Sequence, residues 1–226
     1  MILKPQDPAS DHYSPRIAHP CSPTNPFMVD ALSPRLQQQF EFLTEIDKLK
    51  TIQRKSLITD SSRRENSAEH SWHLALLAII LAEHAAKPLD LFRVVKMLLV
   101  HDLVEIDAGD VFVHTAEELK SQAEREQVAA QRIFAILPQD QADDLMACWR
   151  EFEDCHTAEA KFAKSLDRVQ PAVLHEATDG IIWEELGTTK AQIWAHMKGL
   201  RENTPLLWPK VSSIIEKAAA KGRLKS

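Results

Sequence analysis

An apolar helical segment that ends in ionisable residues constrains this fold more than any other part of the chain. Over residues 89–105, aliphatic side chains recur at helical spacing, and one face of the predicted helix carries Val94, Leu98, His101 and Glu105. An apolar stripe that turns polar in its last turn is costly unless the polar groups find partners. A bound cation is one such partner, which the negative end of the helix dipole favours; exposure of the last turn to solvent is the other interpretation.

The composition is typical of a helical globular protein. The chain has 226 residues, enough for one large domain with a sizeable core, and 44% of them are hydrophobic and 27% charged. It contains only five glycines and one tyrosine, whereas strand-rich folds usually need more turn glycines and more aromatic or β-branched runs. We therefore predict an all-α fold.

Charge and cysteine content limit the classes of partner. The net charge of −6 argues against nucleic-acid binding through a broad basic surface, although a local basic cluster can still bind a small phosphate. The cysteines, Cys21, Cys148 and Cys155, form no Cys-x-x-Cys pair and suggest neither a disulfide framework nor a zinc knuckle. The sequence has no apolar run of about 18 residues and no signal-peptide core. We expect a cytoplasmic protein with no membrane partner.

Proline marks the predicted boundary of the folded domain. Residues 1–34 contain seven of the twelve prolines without hydrophobic periodicity, and we interpret them as an irregular or extended N-terminal arm. From Arg35 the pattern becomes helical, so residues 35–226 are predicted to form a single helical domain. We expect the arm to contribute little to folding because it offers little apolar surface to bury.

Two further predicted helices bring polar residues to inward faces. Residues 51–66 are polar and basic and are interpreted as a loop, after which Asn66 or Ser67 is expected to cap a helix whose apolar stripe begins at His70. A capping box at Thr115 and Glu118 is expected to start a long helix. Later, a helix capped by Thr157 carries Asp167 in the middle of its inward face.

These inward polar residues together indicate a metal site. His70, His101, Asp102 and Asp167 offer imidazole and carboxylate ligands that suit a first-row divalent metal and leave positions open for water and substrate. Each residue alone is weak evidence, because a lone inward histidine is often a satisfied core group. Asp167 has the further alternative of pairing with Lys164 three residues earlier.

Three segments of the chain carry a recognisable order of motifs. They are residues 65–71 (Glu-Asn-Ser-Ala-Glu-His-Ser), residues 101–105 (His-Asp-Leu-Val-Glu) leading to Gly109-Asp110, and residues 159–162 (Glu-Ala-Lys-Phe) leading to Leu166-Asp167-Arg168. In this order they resemble the HD-domain phosphohydrolase superfamily, and most closely its bacterial 5′-deoxynucleotidase-like branch. The resemblance covers roughly residues 36–185. Its His…His-Asp…Asp signature is specific for the superfamily and only moderately specific for the branch.

The resemblance implies a helical HD-domain bundle that binds one divalent metal ion, of the group Mn, Co, Zn, Fe, Ni and Mg. The implied ligands are His70, His101, Asp102 and Asp167. In this interpretation Glu105 acts on the attacking water, Asp110 contacts the nucleotide, and a basic residue before the first histidine, Arg54 or Lys55, holds the phosphate. The implied activity is phosphate release from nucleoside 5′-monophosphates, with deoxynucleotides as the expected class. A homodimer is expected, because proteins of this kind are often dimers.

Two departures from the branch lie in the expected substrate pocket. The tryptophan usually found soon after the basic residue is replaced by Ser56-Leu57-Ile58, and Val111-Phe112 follows Asp110 where the branch often has Thr-Pro or a similar pair. Both departures concern the substrate and leave the implied metal ligands intact.

The same residues can also have purely structural roles, which would lead to other functions. Glu105 can be a solvated carboxylate at a helix end, Asp110 a turn residue after Gly109, and the basic residues a solvated loop. The second functional hypothesis is therefore a phosphohydrolase of another small metabolite. The third is a metal-binding helical scaffold without turnover, which the presence of Glu105 disfavours.

Overall fold

Helices account for most of the residues that the structure, a computed structural model, describes, which are 32–110 and 116–225. The α-helices are α1 (Pro34–Ile46), α2 (Ser67–Leu81), α3 (Leu91–Val100), α4 (Glu105–Ala108), α5 (Ala116–Phe134), α6 (Gln139–Asp154), α7 (Ala158–Ala177), α8 (Ile181–Glu185), α9 (Lys190–His196), α10 (Leu200–Asn203) and α11 (Trp208–Ala220). Strands β1 (Gln53–Leu57) and β2 (Arg64–Asn66) form a two-stranded antiparallel sheet. The predicted helical class is confirmed.

Side-chain caps fix where the helices that carry the site begin. The Asn66 side chain accepts a hydrogen bond from the Glu69 amide, and the Glu69 carboxylate accepts one from the Asn66 amide, so α2 starts with a full capping box. Thr157 caps α7 as predicted. Residues 1–31 of the predicted arm, Thr115 of the second predicted capping box and Val111-Phe112 lie outside the described residues.

The interpretation of residues 51–66 as a loop is wrong. A 3₁₀ turn, Asp47–Thr51, leads into the hairpin of β1 and β2, with Gln53 opposite Asn66 and Leu57 opposite Arg64. Burial alternates along β1, so that Arg54 is half-buried while its neighbours Gln53 and Lys55 are exposed. The alternation was hidden because both inward and outward positions of this strand are polar.

The helix predicted to continue through His101 ends one residue earlier. The chain passes from α3 into a 3₁₀ turn, His101–Val104, and then into the short α4. His101, Asp102 and Glu105 are all buried, so the alternative interpretation, in which the last turn of the helix is exposed to solvent, is wrong. A 3₁₀ turn packs successive side chains more tightly around the axis than an α-helix does, which lets both His101 and Asp102 face inward.

Two clusters of buried apolar side chains lie on either side of these polar residues. The first joins α2, α3, α7 and α11 through residues that include Leu74, Met97, Leu98, Leu166, Ile214 and Ile215. The second joins α1, α5, α6 and the 3₁₀ turn through residues that include Phe42, Val104, Ile133, Phe134 and Trp149. Close packing in both clusters fixes the helices that carry the site. Within the described part of the chain, no helix has both the length and the apolar character needed to cross a bilayer.

Candidate metal centre

The predicted ligand residues meet from three separate elements. His70 lies in the first turns of α2, His101 and Asp102 form the 3₁₀ turn after α3, and Asp167 lies in the middle of α7. Both histidines and Asp102 are buried, while the Asp167 side chain keeps about a quarter of its surface accessible, at 27%. Ligand atoms of His70, His101 and Asp102 all lie within 4.8 Å of one another.

Asp167 lies next to both histidines of this group. Its Oδ1 lies 3.0 Å from His70 Nε2 and 3.8 Å from His101 Nε2, and Asp102 Oδ1 lies 2.9 Å from His101 Nε2. Neighbouring ligand atoms of a metal bonded at about 2.1 Å are expected to be about 3 Å apart. The alternative partner of Asp167 is not used, because Lys164 pairs with Glu153.

The hydrogen bonds of His101 leave its inward nitrogen free for a ligand. His101 Nδ1 lies 2.9 Å from the carbonyl oxygen of Leu98, which can only accept, so Nδ1 carries the hydrogen. Nε2 is buried and has no hydrogen-bond partner of acceptable geometry among the described residues, although the Asp102 carboxylate is adjacent. In the neutral ring this nitrogen would be a buried lone pair beside carboxylates, which is unfavourable, and either a proton or a divalent cation would satisfy it. The residues present therefore fit a divalent metal ion.

The electrostatics of the group also favour a cation. Burial lowers the pKa of His101, but the carboxylates of Asp102 and Asp167 outweigh burial and raise that pKa to about 10. Burial raises the pKa of Asp102, while the charges of His101 and Arg54 outweigh it and lower the pKa to about 2. The carboxylates that would hold a proton on the imidazole create the same negative potential for a metal ion.

Arg54 is the cation that the hairpin inserts into this group. Its guanidinium Nη1 lies 3.0 Å from Asp102 Oδ2 and 3.9 Å from Glu105 Oε1, and its Nε lies 3.7 Å from Glu65 Oε2. Only 15% of its side chain is accessible. The guanidinium therefore lies among the carboxyl groups of Glu65, Asp102 and Glu105.

Glu105 lies beside the ligand group and is held by one hydroxyl. The Ser67 Oγ donates a hydrogen bond of 2.5 Å to Glu105 Oε2, which leaves Oε1 directed toward Arg54. Burial, followed by the nearby charge of Asp102, raises the pKa of Glu105 to about 9. A cation at the neighbouring ligands would lower this pKa and favour the carboxylate. The geometry is that of a base close to the ligand group but outside it.

The structure separates the two basic residues that the sequence offered for the phosphate. Arg54 joins the carboxylate cluster, whereas the side chain of the next residue, Lys55, is exposed. Asp110 is half-buried where the described chain stops before residue 111. Burial raises the pKa of Asp110, and the charges of Arg54 and Lys55 act against that rise.

Sequence reasoning gave no role to the residues that support the ligands. Glu65, Ser67 and Gln170 are buried polar residues that contact Arg54, Glu105 and His70 respectively. Helical spacing predicts that Gln170, three residues after Asp167, shares its inward face, which the structure confirms, but it does not predict the contact with His70. Glu65 and Ser67 precede the first histidine within the motif but match no ligand pattern of their own.

The fold is helical, and buried imidazoles and carboxylates from three of its elements lie close together. These features are typical of helical proteins that bind a divalent metal ion. Within that class, the family model described as HD domain matches residues 46–208 of this chain. The match includes most of the chain, and the chain therefore belongs to the HD domain family. The predicted recognition of the family is confirmed.

Similar proteins extend this assignment. The chain is 45% identical to a crystal structure described as a predicted metal-dependent phosphohydrolase from Magnetospirillum magnetotacticum MS-1, with a TM-score of 0.80 over 85% of this chain and 96% of that chain. PH0347 from Pyrococcus horikoshii OT3 shares the fold, with a TM-score of 0.56 at 18% identity over 79% of this chain and 99% of that chain.

A curated relative matches little more than half of the chain. The chain is 30% identical to the human protein named 5′-deoxynucleotidase HDDC2 over 131 residues, which are 58% of this chain and 63% of that protein. The chain thus aligns with slightly less than two thirds of this relative's length.

Proposed function

We propose that this protein is a metal-dependent phosphohydrolase that releases phosphate from nucleoside 5′-monophosphates, with deoxynucleotides as the expected class. The proposed ligands of one divalent ion are His70, His101, Asp102 and Asp167. The observation that carries the proposal is the buried His101 Nε2, which lacks a hydrogen-bond partner and lies beside Asp102 and Asp167. The metal is expected to be Mn, Co, Zn, Fe, Ni or Mg, since imidazole and carboxylate ligands accept all of these ions to different degrees.

The catalytic base proposed for this reaction is Glu105. A divalent ion supplies neutralisation of phosphoryl charge and a lowered pKa for bound water. Glu105 Oε1 would take the proton of the attacking water, because Ser67 holds the other oxygen and keeps the carboxylate oriented. The burial of Glu105 limits the access of bulk solvent to this proton transfer.

Recognition of the nucleotide is assigned to the hairpin and to the segment after α4. Arg54 can offer guanidinium hydrogens to a phosphate while remaining near Asp102, and the exposed Lys55 can add charge from the same strand. Asp110 would accept a hydrogen bond from the sugar or base. The name 5′-deoxynucleotidase of the human relative supports this substrate class for the region that the two proteins share.

We further propose that the protein forms a homodimer through α2. Between Glu69 and Ala82 this helix contains no Asp, Glu, Lys or Arg, and a helix that is apolar on all sides is normally covered on all sides. Its outer face nevertheless exposes Trp72, Leu76, Ile79 and Ile80. An uncharged face can meet its own copy without repulsion. The cytoplasmic location and the lack of nucleic-acid or membrane partners stay predictions from composition.

A phosphate-release screen tests the proposed activity. Metal-free protein is supplied in turn with Mn²⁺, Co²⁺, Zn²⁺ and Mg²⁺ and offered ribo- and deoxynucleoside 5′-monophosphates, diphosphates and triphosphates, and a cyclic dinucleotide. We expect release from the 5′-monophosphates and little from the others, because one metal and one guanidinium match one terminal phosphoryl group. Activity only on another phosphorylated metabolite would replace the substrate class, and metal binding without any turnover would favour a scaffold.

A further inference from the structure

Gln170 is a buried amide placed between three polar side chains at the back of the candidate metal centre. Its Oε1 lies 3.0 Å from His70 Nδ1, and its Nε2 lies 2.6 Å from Glu65 Oε1 and 3.1 Å from His73 Nδ1. The side chain is fully buried. No step of the proposed reaction uses these contacts, so they require a separate explanation.

The chemistry of the neighbours fixes which way the amide points. A carboxylate can only accept hydrogen bonds, so the NH₂ group of Gln170 must face Glu65 and its oxygen must face His70. The second hydrogen of the NH₂ group is directed to His73 Nδ1, which therefore accepts. Glu65 and His73 together leave the amide a single orientation.

That orientation determines the tautomer of His70. Because the Gln170 oxygen can only accept, His70 Nδ1 must carry the hydrogen, and Nε2 of the neutral ring is left with its lone pair. Nε2 is the atom that lies 3.0 Å from Asp167 Oδ1. In the opposite tautomer, Nε2–H would donate to Asp167 and the lone pair needed by a metal would be blocked.

We propose that Gln170 is a positioning residue that holds His70 in the Nδ1–H tautomer and thereby presents Nε2 to the metal ion of the proposed function. The proposal rests on that metal site. His101 obtains the same tautomer from the backbone carbonyl of Leu98, which no substitution removes. The two imidazoles are thus prepared in different ways, and only His70 depends on a side chain.

Without Gln170, the Nε2–H tautomer of His70 would be favoured over the Nδ1–H tautomer that binds a metal. Without Gln170, the nearest other acceptor for His70 Nδ1 among the described residues is Glu65 Oε2 at 3.5 Å, which is beyond good hydrogen-bond distance. Asp167 would then favour the Nε2–H form. Partners that orient metal-binding imidazoles typically change metal affinity by about 10–100-fold when they are removed.

The test compares Gln170→Met with the exchanged pair Glu65→Gln/Gln170→Glu. Methionine keeps the length and burial of the side chain but cannot accept the Nδ1 hydrogen. The exchanged pair retains the total charge and returns an acceptor to position 170. Zinc affinity is measured by competition with a fluorescent chelator. ¹⁵N NMR of histidine-labelled, metal-free protein, recorded at a pH where the His70 ring is neutral, reports the tautomer of that ring.

We expect Gln170→Met to lower zinc affinity about 10–100-fold and to shift His70 toward the Nε2–H form. His101 should keep the hydrogen bond from its Nδ1 to the Leu98 carbonyl, which makes it an internal control. The exchanged pair should recover most of the affinity and the original tautomer of His70. Gln127→Met removes a half-buried amide on α5 whose nitrogen has no hydrogen-bond partner, and it should change neither readout.

Wild-type zinc affinity in folded Gln170→Met would overturn the proposal, as would weaker binding with an unchanged His70 tautomer. If Gln170→Met does not fold, the exchanged pair decides: loss of the Nδ1–H tautomer or of zinc binding there contradicts the proposal. Neither readout uses a nucleotide. A protein that passes both tests but releases no phosphate would contradict the proposed function alone, and one that binds no metal can still be tested by its tautomers.

Discussion

His70 Nε2 and Asp167 Oδ1 lie 3.0 Å apart although 97 residues separate them in the chain. With Gln170 occupying the other ring nitrogen, both facing atoms carry lone pairs in the neutral ring, and their approach is repulsive unless a cation lies beside them. In the metal-free protein a proton can lie between the two atoms: burial lowers the pKa of His70, but the hydrogen bond to Asp167 contributes to a net rise. A metal ion at this site would take the place of that proton.

Alanine substitutions test which of the proposed ligands hold the metal ion. His101→Ala and Asp167→Ala should each remove most of the bound metal, since the proposed site has no other protein ligands to replace them. Metal content of purified protein is measured by mass spectrometry after reconstitution. His156→Ala, at an exposed histidine, should retain the metal. Full occupancy in either ligand variant would exclude that residue from the site.

The inward placement of His70 and Asp167 was predictable because helical periodicity records which positions face the core. His70 begins an apolar stripe and Asp167 lies within one, and His70 is fully buried. The partner of Asp167 was open at that stage, because Lys164 lies three residues away on the same helix. The structure resolves it in favour of His70, since Lys164 reaches Glu153 on α6.

The hairpin could not be predicted by the same reasoning. Gln53–Leu57 has no alternation of apolar and polar residues, because its inward positions carry Arg54 and Ser56. The burial of Arg54 depends on carboxylates supplied by β2 and by the 3₁₀ turn after α3, and such long-range charge balance leaves no local pattern. The roles of Glu65 and Gln170 could not be predicted for the same reason, because each depends on contacts with residues that are distant in the sequence.

Arg54→Lys separates phosphate recognition from metal binding. Lysine retains the charge near Asp102 and Glu105 but loses the planar fork that binds a phosphate through two hydrogens. We expect KM for a nucleoside monophosphate to rise about tenfold, which corresponds to the loss of about 1.4 kcal/mol of binding, with metal content unchanged. Arg63→Lys, in a surface pair with Glu69, is the matched control. Loss of metal in Arg54→Lys would instead assign Arg54 to the metal centre.

His175 predicts a pH dependence of stability outside the metal centre. Its ring is buried, 4.6 Å from that of Trp183, and burial lowers its pKa to about 4. The unfolded chain should titrate near 6.5, so between these values it binds more protons than the folded chain. The contribution is therefore fully present above about pH 6.5 and is lost as pH falls toward about 4, by at most roughly 3 kcal/mol.

His175→Phe removes this titration and keeps an aromatic ring beside Trp183. The free energy of unfolding of the metal-free protein is measured with urea between about pH 7 and pH 4.5. We expect the variant to lose less stability over this interval than the wild type, while other titrating groups cancel in the difference. The exposed His156→Phe should follow the wild type. Parallel curves for His175→Phe and wild type would contradict the prediction.

The exposed face of α2 predicts the oligomeric state. Trp72 and Ile80, accessible at 61% and 66%, would be covered in the proposed dimer. A glutamate at either position places a charge against apolar surface, so Trp72→Glu and Ile80→Glu should yield monomers in sedimentation experiments while remaining folded. Leu206→Glu alters an equally exposed leucine outside α2 and should remain dimeric. Wild-type protein that sediments as a monomer would exclude the homodimer.

Glu105→Gln distinguishes an enzyme from a metal-binding scaffold. Glutamine mimics the protonated carboxyl that a pKa of about 9 predicts for the metal-free protein, so folding should be little affected. It cannot take a proton from water, and phosphate release should fall by roughly 10²–10⁴ while the metal remains bound. Substrate affinity should change little, since Arg54 and Lys55 are unaltered. Asp107→Asn is the control and should retain activity. Asp107 is an exposed carboxylate on the same short helix as Glu105 and pairs with Arg132 of α5.

Loss of metal in Glu105→Gln would make Glu105 a ligand. Full activity with metal bound would require another residue, such as Asp110, to act as the base. That result would contradict the mechanism even if the phosphohydrolase activity were demonstrated.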